Sequence, residues 1–134
     1  MLKLCSILLL TSSLLACQKD SPGPLQNFGL VVKQPVTLPI AGNVQATLTE
    51  LADSRCPSDV VCIWAGTIAA TVTFTDGSTT QAVRLGYQKL YGQDSTAVVL
   101  AGNGYWLRLL DAQPYPSTTN GSLPRTAFFR LRPR

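Results

Sequence analysis

"ATVTFTDGSTTQAVRL", residues 70–85, alternates apolar and polar positions from Ala70 to Thr75, turns at Asp76-Gly77 and resumes from Thr79 to Leu85. Alternation sends successive side chains of an extended chain to opposite faces, and Asp-Gly between two such runs is a strong hairpin signal. The stretch therefore predicts two antiparallel strands with one dry face and one wet face. Val44–Thr49 alternates in the same way.

Further strand candidates are Gly29–Lys33, Val36–Ile40, Cys62–Ala65 running on toward Thr67, Ala97–Ala101, Tyr105–Asp111 and Thr126–Arg132. No segment carries a 3.6-residue apolar period of useful length. Tyr87–Asp94, with Lys89-Leu90-Tyr91 inside it, reads as a helical turn or a loop. The tripeptide Ala-Gly-Asn occurs at 41–43 and again at 101–103, as turn chemistry. Eight or nine short strands, with nine prolines and ten glycines in the chain, predict an all-β domain. An antiparallel β-sandwich is the first expectation and a small closed β-barrel the alternative.

The N-terminus sets the compartment. Residues 1–16 carry Lys3, an apolar run from Ile7 to Leu10 continuing through Leu14 and Leu15, and Ala16 before Cys17. That is a secretory layout, too short for a permanent membrane helix. Leu14-Leu15-Ala16-Cys17 resembles the lipobox of bacterial lipoproteins, which implies acylation of Cys17 and cleavage before it. An ordinary signal peptide with an incidental cysteine is the other reading. One acyl chain binds a bilayer marginally, at about 0.8 kcal/mol per buried methylene; the three chains of a bacterial lipoprotein anchor it durably. By the same resemblance, Gln18-Lys19-Asp20, with no aspartate next to Cys17, implies the outer membrane, at its periplasmic face or the cell surface. Residues 17–26, with Ser21-Pro22-Gly23-Pro24, read as a flexible tether, and 27–134 as a single β-domain. Loss of Lys3 leaves ten basic against seven acidic residues, a net charge of +3. With the bases dispersed, that balance does not point to nucleic acid.

Cys5 leaves with the signal peptide and Cys17 is taken by lipid, so Cys56 and Cys62 remain. A pair in an oxidising compartment reads as one disulfide. Zinc would need more ligands than two thiolates in a chain without histidine, and a redox pair would favour two intervening residues at a helix N-terminus. The expectation is no metal and no cofactor. The seven-residue ring is worth about 2 kcal/mol in the chain-entropy model. Arg55 lies near Asp53 and Asp59, so one ion pair across the loop is expected. Trp64, two residues past Cys62, falls on the disulfide's face if 62–65 is a strand.

Asp53-Ser54-Arg55-Cys56-Pro57, followed by Cys62, Trp64, Ala65 and Gly66, resembles a pattern shared by small lipid-anchored or secreted bacterial proteins. The likeness extends loosely to Pro114-Tyr115-Pro116 and implies no activity.

Without histidine, Ser-His-Asp and Cys-His sites cannot be built, and no Ser-x-x-Lys spacing occurs. Among Glu50, Asp53, Asp59, Asp76, Asp94 and Asp111 no catalytic pair stands out. The leading expectation is a non-catalytic, lipid-anchored envelope domain that binds or scaffolds a protein, peptide or glycan. The alternative is a small envelope hydrolase or protease-inhibitor-like protein working through the 53–66 loop. Candidate binding residues are Arg55, Asp59, Trp64, Tyr87, Tyr91, Trp106 and Tyr115; alternation assigns Tyr105, Leu107 and Leu109 to one face and Trp106, Arg108 and Leu110 to the other, so several of the aromatic rings are expected in the core. Exposure separates the readings: a mere staple would bury Val60, Val61 and Trp64, whereas an inhibitor loop would project Pro57–Val60.

Overall fold

Alternation in residues 70–75 is realised as a strand whose even-numbered side chains are buried and whose odd-numbered ones are not. A computed structural model describes residues 25–87 and 94–134. The expected signal peptide, Cys17, most of the tether, Tyr91 and most of the Tyr87–Asp94 segment lie outside the described residues. The strands are β1 (Gln26–Val31), β2 (Pro35–Thr37), β3 (Gln45–Asp53), β4 (Ile68–Thr75), β5 (Thr80–Tyr87), β6 (Ser95–Leu100), β7 (Asn103–Gln113) and β8 (Thr126–Pro133).

They form two four-stranded antiparallel sheets, ordered β1-β8-β7-β6 and β2-β3-β4-β5. Ile68, Ala70, Val72 and Phe74 of β4 face Tyr105, Leu107, Leu109, Phe129 and Leu131 of the opposite sheet across a common core. Burial of each Leu, Val or Phe side chain contributes about 1.5–3 kcal/mol. The protein is thus an antiparallel β-sandwich. The sheets touch at one edge, where Val32 bridges Leu48 and the Lys33 N–H donates to the Leu48 carbonyl at 2.8 Å. Among the described residues β5 and β6 do not pair, so the sheets do not close into a barrel.

Two β-bulges shift the alternation. In β3 the register slips between Leu48 and Glu50, so the buried side shifts from Val44, Ala46 and Leu48 to Leu51 and Asp53. In β7 it slips between Leu109 and Asp111, and Ala112 becomes the next buried residue. Each bulge places one extra residue opposite the partner strand, which is how an alternating chain changes faces without a break.

Three strand expectations need correction. Residues 62–67 form no strand; β4 starts at Ile68 because 57–64 are drawn into a closed loop with no neighbouring strand to pair with. The run Val36–Ile40 is a strand only over Pro35–Thr37, since the Ile40 N–H turns back to the Leu38 carbonyl at 2.8 Å. Ala101 belongs to the β6–β7 turn, with φ of 48°.

Candidate functional site: a clamped disulfide loop

The β3–β4 connection leaves the sandwich as a narrow neck. The Ser54 N–H donates to the Thr67 carbonyl at 2.8 Å and the Cys56 N–H to the Ala65 carbonyl at 2.9 Å. Gly66 has φ of 75°, and a Cβ there would lie 1.9 Å from the Ser54 carbonyl oxygen. Only glycine satisfies both the backbone and the contact. Beyond the neck Cys56 and Cys62 form the disulfide, their Cα atoms 5.9 Å apart and within the ordinary range for such a bond.

Arg55 clamps the neck to both sheets. The bulge in β3 turns the Asp53 carboxylate inward, where its side chain is 1% exposed. Arg55 meets it as a fork, Nε to Oδ1 at 2.8 Å and Nη2 to Oδ2 at 2.7 Å. Its Nη1 reaches Asp111 Oδ1 at 2.8 Å and its Nη2 also donates to the Ala112 carbonyl at 2.6 Å. The Tyr115 ring lies 4.2 Å from the guanidinium carbon, a cation–π arrangement. Arg125 Nε stands 3.7 Å from Asp53 Oδ2, so two arginines balance two aspartates. Burial pulls the Arg55 pKa down, but the hydrogen bond and charge of Asp53, then those of Asp111, outweigh it and hold the group above its ordinary value.

Of the two aspartates expected near Arg55, Asp53 makes the ion pair and Asp59 does not. The guanidinium pairs with Asp53 and Asp111, while Asp59 serves the neighbouring loop. Asp59 accepts the Thr118 N–H at 3.0 and 3.2 Å and the Thr118 hydroxyl as well. The Thr118 hydroxyl first, and then its N–H, hold the Asp59 carboxyl below its ordinary pKa. The Ser58 N–H donates to the Pro116 carbonyl at 2.9 Å. The near half of the ring, from Pro57 to Asp59, is thereby docked on the 114–120 loop.

The far half projects. Val60 is 45% exposed, Val61 102%, Ile63 110% and Trp64 66%. With no strand at 62–65, alternation no longer places Trp64 on the disulfide's face. Both halves of the exposure criterion are answered: 60–64 is not the buried surface of a staple, and Ser58, Asp59 and Val60 are exposed as well, Ser58 and Asp59 while hydrogen-bonded to the 114–120 loop.

The remaining candidates separate. Tyr115 joins the clamp. Trp106 lies on the outer face of β7 with the Arg134 guanidinium 5.5 Å from its ring, and Tyr105 is buried. Tyr87 ends β5. Among the described residues, Tyr105, Trp106 and Tyr115 therefore do not form one cluster. Sequence reasoning missed Asp111, Thr118 and Arg125, which no local spacing connects to Arg55. It also missed the tip, although Val60-Val61-Cys62-Ile63-Trp64 breaks alternation with five successive apolar residues, a signal against a strand with one wet face. Among the described residues no three His, Cys, Asp or Glu side chains come together as a metal site.

Comparisons with protein-family models, with curated proteins and with solved structures found no match to this chain. The functional reading therefore rests on geometry.

Proposed function

We propose that the mature chain is a non-catalytic, lipid-anchored binding domain of the bacterial envelope, at the outer membrane, that offers residues 60–64 to an apolar pocket on a partner protein. One observation carries the reading: Val61 and Ile63 are fully exposed on a loop whose base is fixed by a disulfide, a partly buried ion-pair network and the Asp59–Thr118 hydrogen bonds. A loop already rigid in its bound shape loses little conformational entropy on association, and a projecting tryptophan flanked by aliphatic side chains has the composition of a binding hot spot. Asp53 and Asp111 are engaged as acceptors for Arg55, which supports a structural rather than an acid–base role for this pair. The anchor rests on the resemblance of Leu14-Leu15-Ala16-Cys17 to a lipobox.

The test is photocrosslinking in intact cells from a reactive side chain at position 61 or 63, with position 84 on β5 as the control. A discrete protein adduct from the tip, absent from position 84 and lost in Trp64→Ala, supports the reading. Equal labelling from both positions would defeat it. For the anchor, Cys17→Ser should abolish palmitate incorporation; labelling at the wild-type level would remove lipidation from the proposal.

A further inference from the structure

The outer face of the β1-β8-β7-β6 sheet carries a second feature. Register aligns Asn27, Arg130, Arg108 and Ser95 in one row, and Arg132, Trp106 and Ala97 in the next. Of these, Ser95, Trp106, Arg108, Arg130 and Arg132 line a cleft of about 400 Å³ together with Leu25 and Asp94. Of its charged groups, Arg108 is paired with Asp94 at 2.6 Å. Arg130 donates through Nε to the neutral Asn27 Oδ1 at 3.0 Å, and among the described residues neither Arg130 nor Arg132 has a carboxylate within 4.0 Å. The cleft thus holds three guanidinium groups against one carboxylate, beside a tryptophan 37% exposed. Guanidinium forks beside an indole ring suit phosphate groups at a membrane interface.

The position of the cleft identifies its occupant. Leu25 forms part of its wall and lies eight positions after Cys17, a reach of at most about 28 Å when extended. If Cys17 is in the bilayer, this is the face that the tether brings within range of the headgroups. We propose that the Arg108–Arg130–Arg132 face docks on anionic phospholipid headgroups, fixing the orientation of the domain on its membrane; the proposal rests on the lipid anchor argued above.

The test uses the full lipidated chain carrying Trp64→Phe, which leaves Trp106 as the only tryptophan. It is reconstituted into phosphatidylcholine vesicles with and without phosphatidylglycerol. Trp106 should be shielded from acrylamide only when phosphatidylglycerol is present, and added salt should reverse the shielding. Arg130→Gln with Arg132→Gln should shift the docked-to-free ratio about 30-fold toward free, at about 1 kcal/mol for each arginine near an anionic surface. Circular dichroism melts of the variant, matching those of the parent, exclude a folding defect. Equal shielding in both lipids, or shielding unchanged by the double variant, would overturn the proposal. So would full protection of Trp106 by millimolar inorganic phosphate without vesicles, which would assign the cleft to free anions. Co-flotation with pure phosphatidylcholine reports the anchor independently of the arginines, so failure of the anchor and failure of the docking face are read separately.

Discussion

Arg55 and Asp111 lie 2.8 Å apart although they are 56 positions apart in sequence; Arg55 follows the end of β3 in one sheet and Asp111 lies in β7 of the other, so one guanidinium spans the end of the sandwich. The same group forks onto Asp53, whose carboxylate is almost wholly enclosed. Removing the cation leaves a buried charge with Arg125 as its remaining partner. Arg55→Ala should therefore cost about 3 kcal/mol, the lower end for breaking a buried pair, and lower Tm by about 12–24 °C. Arg55→Lys should cost less, because an ammonium keeps the charge and loses the fork. Urea unfolding of the three proteins checks the order; an alanine variant as stable as wild type would remove the clamp from the account.

Cys56→Ser with Cys62→Ser should lower global stability by no more than about 2 kcal/mol, the entropy of closing so short a ring. Ser58 and Asp59 stay tied to Pro116 and Thr118 without the sulfur atoms, so much of the base survives. Projecting residues gain the freedom, and hydrogen exchange should accelerate at the Cys56 and Val60 amides, which bond the Ala65 and Pro57 carbonyls, while the β3 and β4 amides stay protected. Acceleration across β3 and β4 at the same rate would mean that the ring stabilises the sandwich as a whole.

Asp76 accepts the Thr79 N–H and the Thr79 hydroxyl, each at 2.8 Å, and these hold its pKa at about 2 against an ordinary 3.8. A carboxyl whose folded pKa is depressed adds stability that is complete above its unfolded pKa and fades as the pH falls through the folded one. Asp76→Ala should therefore be less stable than wild type near neutrality, and the gap should close between about pH 4 and pH 2. Denaturant midpoints across that range check it; a gap that does not narrow would assign the effect to packing.

Ala101 holds φ of 48° in the two-residue turn between β6 and β7, followed by Gly102 at 78°. A side chain in the left-handed region costs about 1–2 kcal/mol. Ala101→Gly should stabilise the protein by about 1 kcal/mol, raising Tm by about 4–8 °C. Gly42→Ala should do the opposite, because a Cβ at 42 would come 2.3 Å from that of Ala101. Thermal melts of both variants test the pair.

Alternation made the sandwich readable. Residues 70–75 and 44–48 each declare a buried side, and the fold buries those sides. Bulges were not readable, because nothing local distinguishes Thr49 or Leu110 from their neighbours, and the slips depend on the partner strand. The Cys56–Cys62 bond followed from counting thiols in an oxidising compartment. Asp53 was within reach as a sequence neighbour of Arg55, whereas Asp111 was not, because a late strand brings it there.

Gly66 has a consequence for how this loop can change. The neck tolerates one residue type at that position, and the clamp fixes Asp53, Arg55 and Asp111, whereas Val61 and Ile63 make so little contact that most replacements there should leave folding intact. Under the proposed binding role, recognition and stability fall to separate residues within one fourteen-residue segment, and a lineage carrying this domain could then exchange its binding preference by substitutions at 60, 61, 63 and 64 alone. The same separation makes the tip a grafting position, where a foreign peptide placed between the two cysteines would be displayed without the sandwich having to adapt.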